Sequence, residues 1–185
     1  DVVANFASKL SSLLEILLFI LGIGVGAYTG FLLSAAHKIV LWNTSVLPVL
    51  FLVSGLSCAG AFTLLVGVLK DKAKRQNDIA HYLLKFDFFA IITEFLLIVA
   101  LFMVVKSAST SGAKSVANAL SANSLGLMFY IGVIGFGMAL PIILDLSVLK
   151  VHDFKREFAV INALFVICGV FLLRCYIVYA GQIFI

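Results

Sequence analysis

Charged residues are scarce in this sequence. Asp, Glu, Lys and Arg together make up 12% of the 185 residues, whereas hydrophobic residues make up 63% and the mean hydropathy is +1.20. A soluble globular domain has about 25% charged and about 45–50% apolar residues. A soluble fold of the present composition would lack the polar residues that cover a surface in water. The composition therefore indicates an integral membrane protein, whose outer surface is itself apolar.

Cysteine is also rare, which argues against a metal centre. The three cysteines, Cys58, Cys168 and Cys175, have no CxxC or histidine-paired spacing, and each lies inside an apolar run. Iron–sulfur and zinc sites need several such ligands at short spacing. We therefore expect no metal held by this chain alone, and we interpret the cysteines as small apolar residues buried in the bundle.

Histidine is limited to three positions, and these bear on haem. A haem inside a helical bundle needs axial ligands held within the spanning segments. The histidines are His37, His81 and His152, which all fall at the ends of the apolar stretches or between them. The sequence therefore disfavours a di-haem cytochrome b and predicts no haem in this chain.

Long apolar stretches dominate what remains. A spanning helix needs about 20 apolar residues, and five stretches reach that length, at about residues 13–36, 46–69, 86–105, 125–149 and 158–185. The stretches are continuous and do not alternate between apolar and polar residues, so membrane strands are not indicated. We predict an all-α integral membrane protein: an up-down bundle of about five helices that forms one transmembrane domain over residues 1–185.

The basic residues predict how the bundle is oriented. Eight of them lie in the second and fourth loops, Lys70, Lys72, Lys74, Arg75, Lys85, Lys150, Lys155 and Arg156, against three in the other two loops. Loops rich in Lys and Arg stay in the cytoplasm. The N-terminus is then cytoplasmic and the C-terminus periplasmic, and Trp42 suits the outer interface. The net charge of +4 is explained in this way, without a nucleic-acid partner.

A few ionisable residues fall inside the spans, where they are costly and mark functional or paired sites. Asp87 and Glu94 are seven residues apart, so they share one face of the third helix, and Glu94 lies about 10 Å deeper. Asp145 lies in the fourth span and Arg174 in the fifth. The carboxylates fit a proton relay that reaches inward from the cytoplasm. They also fit buried structural pairs with Arg or Lys residues of other helices.

Three polar side chains fall near the outer ends of the first and fifth spans: Tyr28, Arg174 and Gln182. If these two helices are neighbours, a phenol, a guanidinium and an amide converge near the outer interface. Such donors suit the carbonyl oxygens of a quinone. The alternative is that residues such as Gln182 are ordinary interface anchors.

Glycine recurs at every fourth position of the first span, at Gly22, Gly26 and Gly30. Without side chains, two helix backbones approach closely along such a stripe. We therefore predict that this face of the first helix packs tightly on a neighbouring helix. The stripe itself indicates a bundle and carries no chemistry.

Several segments together resemble a known family. They are AYTGFLL at 27–33, LWN at 41–43, PVLFLVSGL at 48–56 and LRCYIVYAGQ at 173–182. They are similar to the NrfD/PsrC family, the quinol-interacting membrane subunit of polysulfide reductase-type complexes. Family members usually have eight or more spans, whereas this chain begins at Asp1 and has five. The resemblance therefore leads us to expect the last five helices of an eight-helix protein.

The resemblance implies a role in a respiratory complex of the bacterial inner membrane. The family's membrane subunit binds menaquinol near the outer face and passes electrons to a ferredoxin-like iron–sulfur subunit. That partner feeds a catalytic subunit, often a molybdopterin enzyme. This chain would supply the quinone pocket, as a non-catalytic or quinol-oxidising subunit. Tyr28 matches the family's YTG tyrosine, Arg174 and Gln182 are further candidates for quinone binding, and Asp87 and Glu94 are candidates for proton transfer.

Two other functions stay open at this point. A small proton-coupled secondary transporter would use Glu94 and Arg174 for substrate and proton coupling, although the inverted repeats and broken helices of many transporters are not apparent. A purely structural membrane anchor would need no quinone site. The partners that purify with the protein would separate these alternatives from a quinone-binding subunit.

Overall fold

The computed structural model describes residues 2–70, 76–121, 123–151 and 156–183, and almost all of these are helical. In chain order the helices are α1 (Val2–Ser34), α2 (Val46–Lys70), α3 (Gln76–Ala108), α4 (Thr110–Ala119), α5 (Ser124–Leu127), α6 (Leu140–Val151) and α7 (Arg156–Ile183). A π-helical segment, Met128–Ala139, joins α5 to α6.

Within the described ranges, five segments are long and apolar enough to cross a membrane: Leu10–Ser34, Val46–Val68, Tyr82–Ala108, Ser124–Ser147 and Glu157–Gln182. The prediction of an all-helical membrane protein with five spans is thus confirmed. The orientation of the two termini remains a prediction. Below, the Trp42 end of the bundle is the one at which α2 begins, and the Lys70 end is the one at which α2 ends.

The predicted outer loop between the third and fourth spans contains a helix that the sequence did not reveal. Helix α4 begins after Ser109, whose hydroxyl accepts a hydrogen bond from the Gly112 backbone N–H at 3.0 Å. This cap satisfies one of the free N–H groups at the start of a helix. Helix α4 packs against α3 and buries Gly112, Val116 and Ala119. Small residues suggested a loop, but here they allow close packing.

Four of the five spans form the centre of the bundle. Helix α2 packs against both α3 and α7, and the π segment with α6 packs against α7 and α3. Helix α1 lies outside this group and makes its main contact with α2. Only 11% of its spanning window is buried, against 39% for α7. Most of the α1 surface is therefore apolar and exposed.

The loop between α1 and α2 is fixed to the bundle by Trp42. Its indole N–H donates a 2.9 Å hydrogen bond to the Ile177 carbonyl of α7, and its side chain is only 8% exposed. We expected Trp42 to face the outer interface, but it is buried against α7. Thr44 then caps α2, because its hydroxyl accepts a hydrogen bond from the Val46 backbone N–H. The start of α2 is thus determined by the loop before it.

The π segment contacts α7 through a pair of glycines. A Cβ atom added to Gly137 would lie 2.8 Å from the Cα of Gly169, closer than real Cβ atoms come. Both positions therefore need glycine for the two backbones to touch. The π-helical geometry is rare in proteins and is often found near functional sites.

Candidate functional site

A cleft with a volume of about 470 Å³ lies between α1 and α2. Its walls are Leu18, Phe19, Gly22, Ile23, Val25 and Gly26 of α1, Leu52, Gly55, Leu56 and Ala59 of α2, and Arg174 of α7. Leu18, Phe19 and Val25 have exposed side chains, so the cleft opens on the outer, apolar surface of the bundle. Ligand pockets typically measure about 300–1,000 Å³, and this cleft falls within that range.

Arg174 is the one charged side chain of this lining. Its Nη2 atom donates a 3.2 Å hydrogen bond to the Phe51 carbonyl, and its guanidinium lies 5.1 Å from the centre of the Phe51 ring. Among the described residues, its buried Nε finds no hydrogen-bond partner. A guanidinium has five N–H donors, so Arg174 keeps donor capacity beside the cleft while α2 holds it in place.

Two glycines line the cleft. A Cβ atom added to Gly55 would lie 3.5 Å from Arg174 Nη2, an ordinary contact distance, so the guanidinium lies directly beside α2 at this position. A Cβ atom added to Gly22 would have nothing within 4 Å, because Gly22 faces the cleft. These glycines therefore shape the cleft as well as the packing.

The predicted tight packing of the α1 glycine stripe holds at one end only. A Cβ atom added to Gly30 would lie 2.5 Å from the Pro48 Cα, whereas one added to Gly26 would make an ordinary contact with Leu52 at 3.4 Å. Gly22 makes no such contact at all. Helices α1 and α2 therefore touch at the Trp42 end and diverge toward the middle of the membrane span. The divergence opens the cleft.

The other two predicted quinone contacts are placed differently from Arg174. Tyr28 is 59% exposed and Gln182 is exposed as well, and neither is among the residues that line the cleft. Thr29, which follows Tyr28, has a buried hydroxyl without a partner among the described residues. It shares a helix face with Gly22 and Gly26, at spacings of seven and three residues, so its free hydroxyl lies on the α2-facing side of α1.

The two predicted proton-transfer residues are both in the interior. Asp87 and Glu94 are each 3% exposed. Asp87 accepts a 2.7 Å hydrogen bond from the Ser57 hydroxyl of α2. Glu94 lies two helical turns from Asp87 on the same face of α3, and its Oε1 atom has no hydrogen-bond partner among the residues that the structure describes. Asp87 and the cleft residue Arg174 are thus both hydrogen-bonded to α2, at Ser57 and Phe51 respectively.

A second polar pair continues inside the bundle on α6 and α7. Asp145 and Asn162 are 0% and 2% exposed, and the Asn162 Nδ2 donates a 2.8 Å hydrogen bond to Asp145 Oδ1. The sequence drew attention to Asp145 alone, because a neutral Asn or Ser in a span does not stand out. Asn162 and Ser57 bind carboxylates of other helices, so identifying them requires knowing which helices pack together.

The described residues contain no group of three or more His, Cys, Asp and Glu side chains arranged to hold a metal ion. Cys168 is exposed, and Cys58 and Cys175 are half-buried. Our expectation that all three cysteines are buried was therefore wrong, because a bundle in a membrane also tolerates small apolar residues on its outer surface. Of the histidines, His152 lies outside the described residues. The side chain of His37 is exposed, and its Nδ1 atom lies 3.2 Å from Asn43 Oδ1.

Comparison with known proteins gives one family. The family model described as "Polysulphide reductase, NrfD" matches residues 1–185. The sequence is 41% identical over 182 residues to the C subunit of polysulfide reductase from Wolinella succinogenes, an alignment that includes 98% of this protein and 57% of that one. It is 37% identical over 179 residues to the protein NrfD homolog of Haemophilus influenzae, with 97% and 56% included.

A third relative, protein NrfD of Escherichia coli, is 32% identical over 170 residues, which include 92% of this protein and 53% of the relative. The chain thus spans little more than half the length of the curated relatives it matches. No solved structure matches it significantly.

Proposed function

The chain belongs to the NrfD family of polysulfide reductase-type membrane proteins, and from this premise we propose that it binds a quinone in the cleft between α1 and α2. In this proposal the protein exchanges electrons between menaquinol and an iron–sulfur partner subunit. That partner serves a catalytic subunit of the molybdopterin class. The protein is then the quinone-reactive membrane anchor of a respiratory oxidoreductase.

The cleft with Arg174 in its wall carries this proposal. Its sides are apolar and its mouth opens on the lipid-facing surface, which suits an isoprenoid tail that reaches in from the membrane. The guanidinium supplies N–H donors for a quinone carbonyl oxygen, and the buried Thr29 hydroxyl adds a donor on the same face of α1 as the cleft glycines. A ring with two carbonyl oxygens and an apolar tail fits this set of groups.

The further candidates take supporting roles. Tyr28, as the tyrosine of the YTG segment, and Gln182 are proposed to contact the quinone at the Trp42 end. Their exposed side chains would then be covered by the quinone or by neighbouring subunits. Asp87 and Glu94 are proposed to exchange protons with the quinone, with Glu94 as the nearer acceptor, because its buried Oε1 atom has no hydrogen-bond partner among the described residues.

The proposed orientation follows from the loop charges. With the basic segments 70–85 and 150–156 in the cytoplasm of a bacterium, the Lys70 end faces the cytoplasm and the Trp42 end faces the periplasm. The protein then spans the inner membrane several times. The iron–sulfur partner docks at the Trp42 end, on the side of Arg174 in α7 and of Tyr28 in α1.

Replacing Arg174 tests the proposal. In the full-length protein within its complex, Arg174→Gln is expected to weaken quinol binding and lower quinol-linked turnover about 10-fold to 100-fold, since hydrogen bonds from charged groups contribute about 1.5–3 kcal/mol. Arg174→Lys keeps the charge and should recover part of the activity. Binding is measured by titration with a fluorescent quinone analogue, and assembly is checked by thermal unfolding. An assembled Arg174→Gln complex with wild-type quinol affinity would contradict the proposal.

Tyr28→Phe is a second, independent test. Removing the hydroxyl is expected to reduce quinol-linked electron transfer several-fold and to leave the level of protein in the membrane unchanged, because the exposed side chain contributes little to packing. Turnover with quinol is compared with turnover of the partner subunits on an artificial electron donor. Equal quinol turnover in the variant and the wild type would remove Tyr28 from the proposed site.

A further inference from the structure

The Asp145–Asn162 pair lies at the Lys70 end of the bundle, away from the cleft. Asp145 is six residues before the end of α6, and Asn162 is six residues after the start of α7. At 1.5 Å per residue each lies about 9 Å inside its helix end. Both side chains are almost fully buried, so neither is a surface residue that extends to water along its own side chain.

The hydrogen bonding of this pair is incomplete in a specific way. Asp145 Oδ1 accepts the Asn162 amide N–H. The two oxygens that remain, Asp145 Oδ2 and Asn162 Oδ1, are buried and have no donor among the described residues. An uncompensated carboxylate is costly in an apolar interior. A proton bound at Asp145 Oδ2 removes the buried charge and turns this oxygen from an unpaired acceptor into a donor.

The pair is connected to the carboxylates of α3. Helix α6 packs against α3. Asp145 lies two residues before the end of its spanning segment, and Asp87 lies five residues after the start of its own, so both are near the Lys70 end. Glu94 follows Asp87 two helical turns deeper on the same face of α3, and Arg174 lies in the wall of the cleft. The buried ionisable groups thus follow one another from the Lys70 end to the cleft, and Asp145 is the member farthest from it.

We propose that Asp145 and Asn162 form the proton-exchange site at the Lys70 end, through which protons move between the aqueous phase and the Asp87–Glu94 carboxylates. This inference rests on the proposed quinone function. Asp145 carries the proton, and Asn162 is a positioning residue that fixes one carboxyl oxygen and leaves the other free. In the proposed orientation, the protons are exchanged with the cytoplasm.

The stoichiometry of quinol oxidation determines how many protons this site must transfer. Oxidising one quinol to quinone releases two electrons, which pass to the iron–sulfur partner, and two protons. Glu94, Asp87 and Asp145 take up each proton in turn and release it at the Lys70 end. Reduction of a quinone runs through the same groups in the opposite direction and takes up two protons there.

The test uses the full-length protein in its complex, reconstituted in liposomes with a pH-sensitive dye. Asp145→Asn is expected to keep quinone affinity within about twofold, because Asp145 does not line the cleft. Quinol-linked turnover and proton movement should fall roughly 10²-fold, the scale of a lost acid–base group. A small permeant weak acid such as azide should restore part of the rate, which a purely structural role would not allow.

Ser147→Ala is the matched control. Ser147 lies two residues further along α6, is exposed, and donates its hydroxyl to the Ile143 backbone carbonyl of the same helix. It should show wild-type turnover and proton movement. If Asp145→Asn does not assemble, Asp145→Glu and Asn162→Ser replace it. Slowed proton movement at unchanged quinone affinity in these variants supports the proposal.

Wild-type proton movement in an assembled Asp145→Asn complex would overturn the inference, as would wild-type rates in both replacement variants. Failure of the quinone function itself looks different. In that case the wild-type complex would bind no quinone analogue, and the Arg174 variants would change nothing. Quinone affinity and proton movement are measured separately, so the two failures are distinguishable.

Discussion

The two halves of the α1–α2 contact differ although they share one glycine stripe. At Gly30 the two backbones are so close that no Cβ fits beside Pro48, whereas at Gly22 an added Cβ would meet nothing. Spacing by four residues fixes which face of α1 looks toward α2. It does not fix how far away α2 is. One small-residue stripe can thus both fasten a helix and provide the wall of a cleft.

The half of the contact around Gly30 and Pro48, here called the fastened end, is positioned by the loop that follows α1. Trp42 is held on α7 by its hydrogen bond to Ile177, and Thr44 caps the start of α2. The loop therefore brings Pro48 against Gly30. Beyond this point α2 follows α3 and α7, with which it packs, and α1 departs from it. The cleft forms beyond Gly30, where the loop no longer holds α1 against α2 and α2 is positioned by α3 and α7.

The largest expected effect comes from a side chain at the fastened end. Gly30→Val forces a branched side chain into the Pro48 backbone, and overpacking of this kind costs about 1–3 kcal/mol. We expect a lower temperature of unfolding in detergent and loss of α1 from its position on α2. Gly24→Val is the matched control, because an added Cβ there has nothing within 4 Å. Equal destabilisation by both variants would contradict the account of the fastened end.

A smaller effect is expected from the loop. Trp42→Phe keeps an aromatic ring but removes the indole N–H that bonds to Ile177, and a hydrogen bond contributes about 0.5–1.5 kcal/mol net. We expect a decrease of about 1 kcal/mol in the free energy of unfolding, measured by denaturant titration. Tyr179→Phe, which alters an exposed ring of α7, serves as the control. An unchanged stability in Trp42→Phe would show that the loop does not hold the fastened end.

The smallest effect on stability is expected in the open half. Gly22→Phe and Gly24→Phe each place a ring where the structure has room, so we expect the free energy of unfolding to change by only about 0.5 kcal/mol in either. Thermal unfolding of the two variants side by side provides the measurement. A loss at Gly22 as large as that at Gly30 would mean that the two helices do not diverge.

Much of this architecture could be predicted from the sequence, because the membrane imposes simple rules. Apolar length alone located the five spans, and rarity alone singled out Asp87, Glu94 and Arg174 as interior residues. Helix α4 was missed because a Ser-capped helix of small residues has the composition of a loop. Trp42 was misplaced because a tryptophan beside a span usually faces the interface, and nothing local revealed its acceptor 135 residues away.

The cleft could not be predicted, for a related reason. Its walls combine two consecutive helices, α1 and α2, with Arg174 of the distant helix α7, and its volume depends on the angle between α1 and α2. Arg174 of α7 lies beside Gly55 of α2, a contact between residues 119 positions apart. The hydrogen bonds of Ser57 to Asp87 and of Asn162 to Asp145 could not be predicted for the same reason, because each joins two different helices.

The most direct test of the central claim compares quinone binding in Gly22→Phe and Gly24→Phe. Gly22 lines the cleft and Gly24 does not, and both have room for an added Cβ. In the full-length protein within its complex, we predict that Gly22→Phe weakens binding of a fluorescent quinone analogue at least tenfold, whereas Gly24→Phe binds it with wild-type affinity. Equal affinity of the two assembled variants would contradict a quinone site between α1 and α2.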